Sequence, residues 1–440
     1  LFNLKHKTAN LKLRQDEDVL DTWFSSWLWP ISVFDGFKDP NNKDIQYYYP
    51  TNDLITAPEI LFFWVARMII AGYEYRGKKP FTNVYLTGIV RDKQGRKMSK
   101  SLGNSPEPLE LIAKYSADGV RVGMLLSSPA GNDLLFDEGL CEQGRNFANK
   151  IWNAFRLVKG WQTDDSSQSQ SNKLSIDWFE ARFNQQLEVL DDHYSKYRMS
   201  DALMTTYKLI WDDFCAWYLE MIKPEFAEGK SKPIDKATYD ATINFFEKIL
   251  RVLHPWMPFI SEEIWHLLKE RSDKDCIIVA EWPTTSRPNE VILASIAAFM
   301  QTVTEVRAIR NEKGISPKEA LELHIRVADN PASRLLEPLI QKLCNISSVH
   351  YTNTKPDNAA SFMVSNIEFY IPLQINPEEE KIRIAKDLEY QKGFLQSVQK
   401  KLTNEKFVQN AKPEILANEK KKEADALAKI TTLQSQLEAL

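Results

Sequence analysis

From Arg145 to Lys269 the apolar residues recur every three or four positions in five blocks: Arg145–Gly160, Ile176–Tyr197, Asp201–Lys223, Lys236–Leu253 and Ser261–Lys269. That period belongs to amphipathic helices, whose apolar stripes must cover one another to escape water, so this stretch is committed to a helix bundle. The preceding residues follow a different rule. Asn83–Val90 is β-branched and aromatic and predicts a buried strand, while Pro58–Gly72 predicts a helix with Pro in its first turn and Gly at its end. Such alternation predicts an α/β domain built on a parallel sheet.

After the bundle the pattern becomes mixed. Val291–Asn311 and Pro331–Asn345 read as helices, and Leu321–Val327 and Ile367–Leu373 as strands. The tail returns to a three/four spacing, through Ile384, Leu388, Leu395, Val398 and Leu402, and again through Leu416, Leu427, Ile430 and Leu437. Pro413 and Asn404–Asn410 separate the two runs, which predicts an antiparallel coiled-coil hairpin. The expected organisation is therefore multidomain, α/β plus all-α, with limits at 1–138, 139–290, 291–376 and 377–440. No internal repeat is visible.

Bulk chemistry excludes several classes. Lys plus Arg number 56 and Asp plus Glu 60, so no global basic excess draws the chain to nucleic acid, and any such contact must be local. Cys141, Cys215, Cys276 and Cys344 lie far apart without a CxxC pair, and the six His form no ligand-spaced cluster, so neither a disulfide framework nor a metal site is expected. The first residues lack the apolar core of a signal peptide, and the run Ile60–Gly72 is too short to span a bilayer, so a cytoplasmic chain with no membrane partner is expected.

The sharpest chemical signal is Gly88-Ile-Val-Arg-Asp-Lys-Gln-Gly-Arg-Lys-Met-Ser-Lys-Ser-Leu-Gly-Asn104. Five basic residues and one acid fall between Arg91 and Lys100, with hydroxyls interleaved and Gly on both sides. A mobile cationic loop of this kind suits a polyphosphate, because each ammonium is a point charge for phosphate oxygens.

Lys97-Met-Ser-Lys-Ser101 resembles the second signature of class I aminoacyl-tRNA synthetases, and its surroundings resemble the valine, isoleucine and leucine branch of that family. The resemblance implies the second half of a Rossmann-type catalytic domain that uses ATP, with Mg²⁺ brought by ATP and no protein-bound metal. Lys97, Ser99 and Lys100 would act on the departing pyrophosphate. Gly88, Met98 and Ser101 would join them in holding ATP. Asp16–Ser26 (DEDVLDTWFSS) and the string ending Phe62-Phe-Trp-Val-Ala-Arg-Met68 favour the valine member; the isoleucine and leucine relatives usually have Asp where Ser25 stands. Trp23 and Trp64 would then wall the amino-acid pocket. Ala57-Pro58-Glu59 departs from the family's Gly-Phe/Tyr-Asp, and Glu59 is expected to do that Asp's work.

The first signature of the class, a HIGH-like tetrapeptide, does not occur, nor does the branch's editing insertion, and the chain opens on Leu1. A fragment with half of the catalytic site, inactive by itself, is expected. Arg145–Phe155 and His254–Trp265 resemble the anticodon-binding bundle of the branch, with Trp256, Phe259 and Trp265 expected in packing. The tail resembles the coiled-coil arm of bacterial valine enzymes. From Gln391 to Lys422 it has eight Lys and three Glu. Lys400, Lys401, Lys420, Lys421 and Lys422 are therefore candidates for the tRNA backbone. The implied partners are valine, ATP and valine tRNA, with a monomer expected. The competing readings are an isoleucine or leucine synthetase fragment and a non-catalytic tRNA-binding descendant.

Overall fold

The computed structural model describes residues 14–127, 132–227, 229–326, 334–373, 377–404 and 413–438. The chain divides into two compact units, one of Leu1–Trp152, Glu188–Tyr207 and Leu250–Glu281, the other of Asn153–Leu187, Lys208–Ile249 and Trp282–Leu440.

In the first unit, α1 (Thr22–Ser32) starts where the Asp21 carboxylate accepts the Phe24 N–H at 2.9 Å. Asn42 caps α2 (Lys43–Tyr48) in the same way, accepting from Ile45 at 3.0 Å. Strands β1 (Thr51–Thr56) and β2 (Phe81–Leu86) pair in parallel, Thr51 opposite Phe81 and Thr56 opposite Leu86. The expected helix at Pro58–Gly72 is corrected by what lies between them. Pro58–Ile60 is a 3₁₀ turn, Leu61–Val65 a wide π-helical turn, and only α3 (Ala66–Arg76) is regular, closing on Gly77 at φ 68°. Five consecutive bulky residues, Leu61-Phe-Phe-Trp-Val65, share that wide turn, the kind of break often found at functional sites.

The expected strand Asn83–Val90 is likewise two pieces, β2 and β3 (Val90–Arg91), the latter parallel to β4 (Leu134–Leu135). Between β3 and β4 lie α4 (Pro108–Tyr115) and α5 (Ala117–Leu126), and α6 (Glu138–Lys159) follows. Leu111, Tyr115, Leu134, Phe136 and Cys141 form a buried cluster that Val90 and Met98 join.

Helices α7 (Gln170–Ser195), α8 (Met199–Lys208), α9 (Lys236–Leu253) and α10 (Pro258–Leu268) make up the predicted bundle sequence, α8 running on through a π-helical stretch to Ile222. In the second unit Phe179 meets Phe214, Tyr218 and Phe245 with ring centroids 5.2, 5.0 and 4.9 Å apart. In the first, buried Asp118 of α5 accepts the Ile260 N–H at 2.8 Å and the Phe259 N–H at 3.3 Å, capping α10. Arg121 donates to the Pro255 and Trp256 carbonyls, and Trp256 stacks on Tyr194. Trp256 and Trp265 are buried as expected, but Phe259 is 64% exposed and is no packing residue.

Helix α11 (Glu290–Glu312) is long and apolar enough to cross a membrane by length and composition, which the reading from Ile60–Gly72 overlooked. Its Ile296, Phe299, Val303 and Val306 are buried, and its Arg310 is buried too, donating to the Cys344 carbonyl at 2.8 Å. Those are the marks of a core helix. Strands β5 (Leu321–Arg326), β6 (Ile346–Thr352), β7 (Ala359–Val364) and β8 (Ile367–Pro372) form one sheet in the order β6-β5-β8-β7, β6 parallel to β5 and the rest antiparallel, with α12 (Glu337–Cys344) leading into β6. The expected helix from Pro331 shrinks to α12, and residues 331–333 lie outside the described part.

The tail forms α13 (Pro377–Leu402) and α14 (Pro413–Glu438). Gln399 donates to Glu423, and Lys401 pairs with Glu419, so the two helices run antiparallel. Ile384, Leu388, Val398 and Ile430 are buried, but Leu427 is 47% exposed and Ala426 occupies the seam in its place.

Candidate functional site

The basic loop is a hairpin organised around one carboxylate. Asp92, only 7% exposed, follows β3. Its Oδ1 accepts the N–H groups of Gln94 and Arg96 at 3.0 and 2.9 Å, and its Oδ2 accepts Arg96 Nε at 2.7 Å and Asn104 Nδ2 at 2.9 Å. The Asn104 amide first, then the Arg96 backbone and guanidinium, outweigh burial and hold this carboxyl down at about 2. Asn104 also turns its Oδ1 to the Ser99 N–H at 2.9 Å and its Nδ2 to the Lys97 carbonyl at 3.3 Å. One amide thus ties both ends of Lys97–Asn104 to the start of the hairpin. Asp92 and Asn104 were missed by sequence reasoning; the only signal was an Asp and an Asn flanking a Gly-bounded turn.

The five cations of this loop are not equivalent. Arg91 is paired with Asp133, Lys93 with Asp137 at 2.9 Å and Arg96 with Asp92. Lys97 is exposed and among the described residues makes no ion pair. The backbone of Lys100 begins a short 3₁₀ turn to Leu102, while its side chain lies outside the described part. Ser99 and Ser101 face each other with Oγ atoms 3.1 Å apart. Met98 packs onto the Leu111–Phe136 cluster and anchors the loop from below. Beside the hairpin is an open cleft of about 440 Å³, lined by Asp92, Arg96, Met98, Asn104, Phe136 and Glu138 among others, but not by Lys97 or Ser99.

Gly88 is explained by packing. A Cβ there would lie 1.7 Å from the Asn132 carbonyl oxygen, so no side chain fits where this segment passes the residues leading into β4. Asp133 holds the same crossing by accepting the Ile89 N–H at 3.1 Å.

Of the proposed pocket residues, Trp23 and Trp64 each join α1 to the wide turn Leu61–Val65. Trp64, half-buried, donates its indole N–H to the Ser26 carbonyl of α1 at 3.2 Å. Trp23 is 36% exposed and lies against Phe63, centroids 6.4 Å apart. Glu59 is exposed on the 3₁₀ turn. Trp27, one helical turn after Trp23, has a buried indole nitrogen without a partner, a feature sequence reasoning passed over. In the tail, Lys401 and Lys422 both pair with buried Glu419, at 3.5 and 2.6 Å. Lys400, Lys420 and Lys421 are exposed and make no ion pair among the described residues.

Three family models match: tRNA synthetases class I (I, L, M and V) over residues 2–137, the anticodon-binding domain of tRNA ligase over 177–325, and the valyl tRNA synthetase tRNA binding arm over 377–440. The chain belongs to the class I aminoacyl-tRNA synthetases. Within that class its family is that of the valine–tRNA ligases. The enzyme of that name from Christiangramia forsetii is 56% identical over 431 residues, 97% of this chain and 49% of the relative. That from Phocaeicola vulgatus is 54% identical over 99% of this chain and 50% of its own length. The chain spans about half the length of the curated relatives it matches. Among solved structures, a methionyl-tRNA synthetase from Mycobacterium tuberculosis aligns at TM-score 0.45 and 19% identity, over 58% of this chain and 51% of that one.

Proposed function

We propose that this chain supplies one half of the catalytic site, together with the tRNA-binding parts, of an enzyme that activates valine with ATP and joins it to valine tRNA. The single observation that carries the reading is the sorting of charge in the hairpin: three cations are spent on ion pairs, and Lys97 is left exposed on a turn fixed by Asp92 and Asn104. A preorganised, unneutralised ammonium is suited to charge that grows on a departing pyrophosphate as the valine carboxylate attacks the α-phosphorus. Lys100 is assigned the same task, and Ser99 and Ser101 hydrogen bonding to phosphate oxygens. In this reading Gly88 and Met98 serve ATP through the backbone path they allow. Trp23 and Trp64 border the valine side chain, with Glu59 near the aminoacyl or ribose hydroxyls. The adenylate is then attacked by a hydroxyl of the terminal ribose of the tRNA.

Mg²⁺ would enter on the phosphates of ATP. The carboxylates around the hairpin, Asp92, Asp133, Asp137 and Glu138, are each ion-paired, with Arg96, Arg91, Lys93 and Lys114, and offer it no ready ligand.

Half a site is also what the surface suggests. Among the described residues the parallel pair β1–β2 has no further strand, and Ile55, Phe62, Phe63 and Ile70 are exposed near it, although parallel sheets are ordinarily covered on both faces. The domain limits given from the sequence, the anticodon-binding role of the bundle, and an antiparallel coiled-coil arm that lies along tRNA through Lys400, Lys420 and Lys421 belong to the same proposal, as do a cytoplasmic location and a monomeric state. The test is valine-dependent exchange of pyrophosphate into ATP by a protein joining this chain to the remaining half of its relatives. Exchange that is stimulated by isoleucine or leucine and not by valine would refute it.

A further inference from the structure

We propose that Glu322, His324 and His350 form a binding site for a divalent transition-metal ion on the four-stranded sheet of the second unit. The sequence gives no hint of it, because the ligands are 26 residues apart at their widest step and meet only through strand register. Strands β5 and β6 are parallel with His324 directly opposite His350, and the two imidazole centroids are 4.8 Å apart. Glu322, two residues before His324, shares its face of the sheet. Its Oε2 lies 3.6 Å from His324 Nε2 and 4.0 Å from His350 Nε2, and one donor atom from each of the three residues can be chosen so that all lie within 4.8 Å of one another.

These distances suit an ion better than they suit one another. At 3.6 and 4.0 Å the carboxylate bonds neither ring. Two ligands about 2.1 Å from one tetrahedral ion sit about 3.4 Å apart, so shifts of a few tenths of an ångström to at most about 1.4 Å would close the shell. His324 Nε2 is buried and has no hydrogen-bond partner, the kind of atom a folded protein rarely leaves unsatisfied. A bound ion satisfies it. The frame is rigid, because Leu321, Leu323 and Ile325 alternate with the ligands into the core, and a one-residue slip of β5 would bring all three into water. His350 Nε2 is 2.8 Å from Ser348 Oγ, a bond that the ion would replace or that a metal-bound water would share.

Two imidazoles and one carboxylate select Zn²⁺, Co²⁺ or Ni²⁺ over Mg²⁺ and Ca²⁺, which prefer oxygen alone. The ion would staple two strands distant in sequence and stabilise the unit by mass action. A second group, Glu262, His266 and Cys276, is already satisfied internally: His266 bonds Glu262 at 3.0 Å, Glu262 accepts the Ile277 N–H at 3.2 Å, and Cys276 donates to the Asp273 carbonyl.

The test is titration of the untagged chain with Zn²⁺ and Co²⁺ in a Cys276→Ser background, which removes the thiolate alternative. One ion per chain should bind, the Co²⁺ complex should show d–d absorption without thiolate charge transfer, and Zn²⁺ should raise Tm. Exposed His350 can be replaced without disturbing the core, and His350→Ala should weaken Zn²⁺ binding at least tenfold, with Glu322→Gln as the second variant. Loss of binding in Cys276→Ser, or weakening below tenfold in both ligand variants, would overturn the proposal.

Discussion

Asn104 donates to Asp92 across the foot of the basic hairpin at 2.9 Å, and the same amide accepts the Ser99 N–H. The signature lysine therefore does not sit on a free loop. It sits on a turn whose two ends are fixed by one side chain. Asn104→Ala removes these bonds while leaving every lysine in place. In a protein complemented with the other half of its relatives, it should lower kcat for valine activation by about tenfold or more, the scale on which misplaced catalytic groups act. The KM for valine should change little. Steady-state pyrophosphate exchange checks this, and an unchanged kcat would make the clamp merely structural.

The same clamp sets a pH signature. Asp92 titrates at about 2, below the ordinary 3.8 of its kind, because the Asn104 amide and the Arg96 groups favour the ionised form. A depressed carboxyl contributes stability that is complete above about pH 4 and is lost as pH falls through about 2. The carboxyl carbon of Asp92, followed by NMR, should titrate near 2 in the intact chain and move toward 4 in Asn104→Ala. A midpoint near 4 in the intact chain contradicts the clamp.

Charge sorting makes a sharper test than charge counting. Lys97→Ala should lower pyrophosphate exchange by about 10²-fold, the loss expected for one preorganised group facing developing charge. Lys93→Ala, whose ammonium is already neutralised by Asp137 at 2.9 Å, should cost less than threefold. Equal effects of the two substitutions would show that the loop acts only through its summed charge.

How much of this is legible in the sequence follows from the range of the interactions. Lys97, Ser99 and Lys100 stand in one contiguous string, and the helices of the bundle announce themselves by local period. The clamp is not legible, because Asp92 and Asn104 are polar residues in a polar loop until their hydrogen bonds are seen. Strands β6 and β7 escape notice as well. Ser347-Ser-Val-His-Tyr351 lacks an apolar alternation, since β6 lies at the sheet edge with His350 exposed. The π-helical turn at Leu61–Val65 hides inside an unbroken apolar run, where helix types cannot be told apart by pattern. Leu427 falls in the tail seam by spacing alone, and a one-residue phase error puts it where Ala426 belongs.

For selectivity, Trp64 ties α1 through the Ser26 carbonyl and leaves the other side of its ring for substrate in our proposal. Trp64→Ala should weaken discrimination between valine and isoleucine by at most about 1–3 kcal/mol, the worth of one methylene in an apolar pocket. Trp64→Phe should lose less. Ratios of kcat/KM for the two amino acids measure it, and an unchanged ratio in a folded Trp64→Ala variant returns this residue to packing.

Gel-shift titration of the purified chain against valine tRNA at several salt concentrations tests the proposal that it is a tRNA-binding half of a valine-type enzyme. Binding to valine tRNA should be tighter than to isoleucine or leucine tRNA, with no valyl-adenylate formed by the chain alone. Replacing Lys420 and Lys421 with Ala should flatten the dependence of log K on log salt by about 0.7–0.9 for each phosphate that is no longer neutralised. Replacing Lys401, paired with Glu419, should leave that slope nearly unchanged. Equal affinity for all three tRNAs, or adenylate formation by the isolated chain, would contradict it.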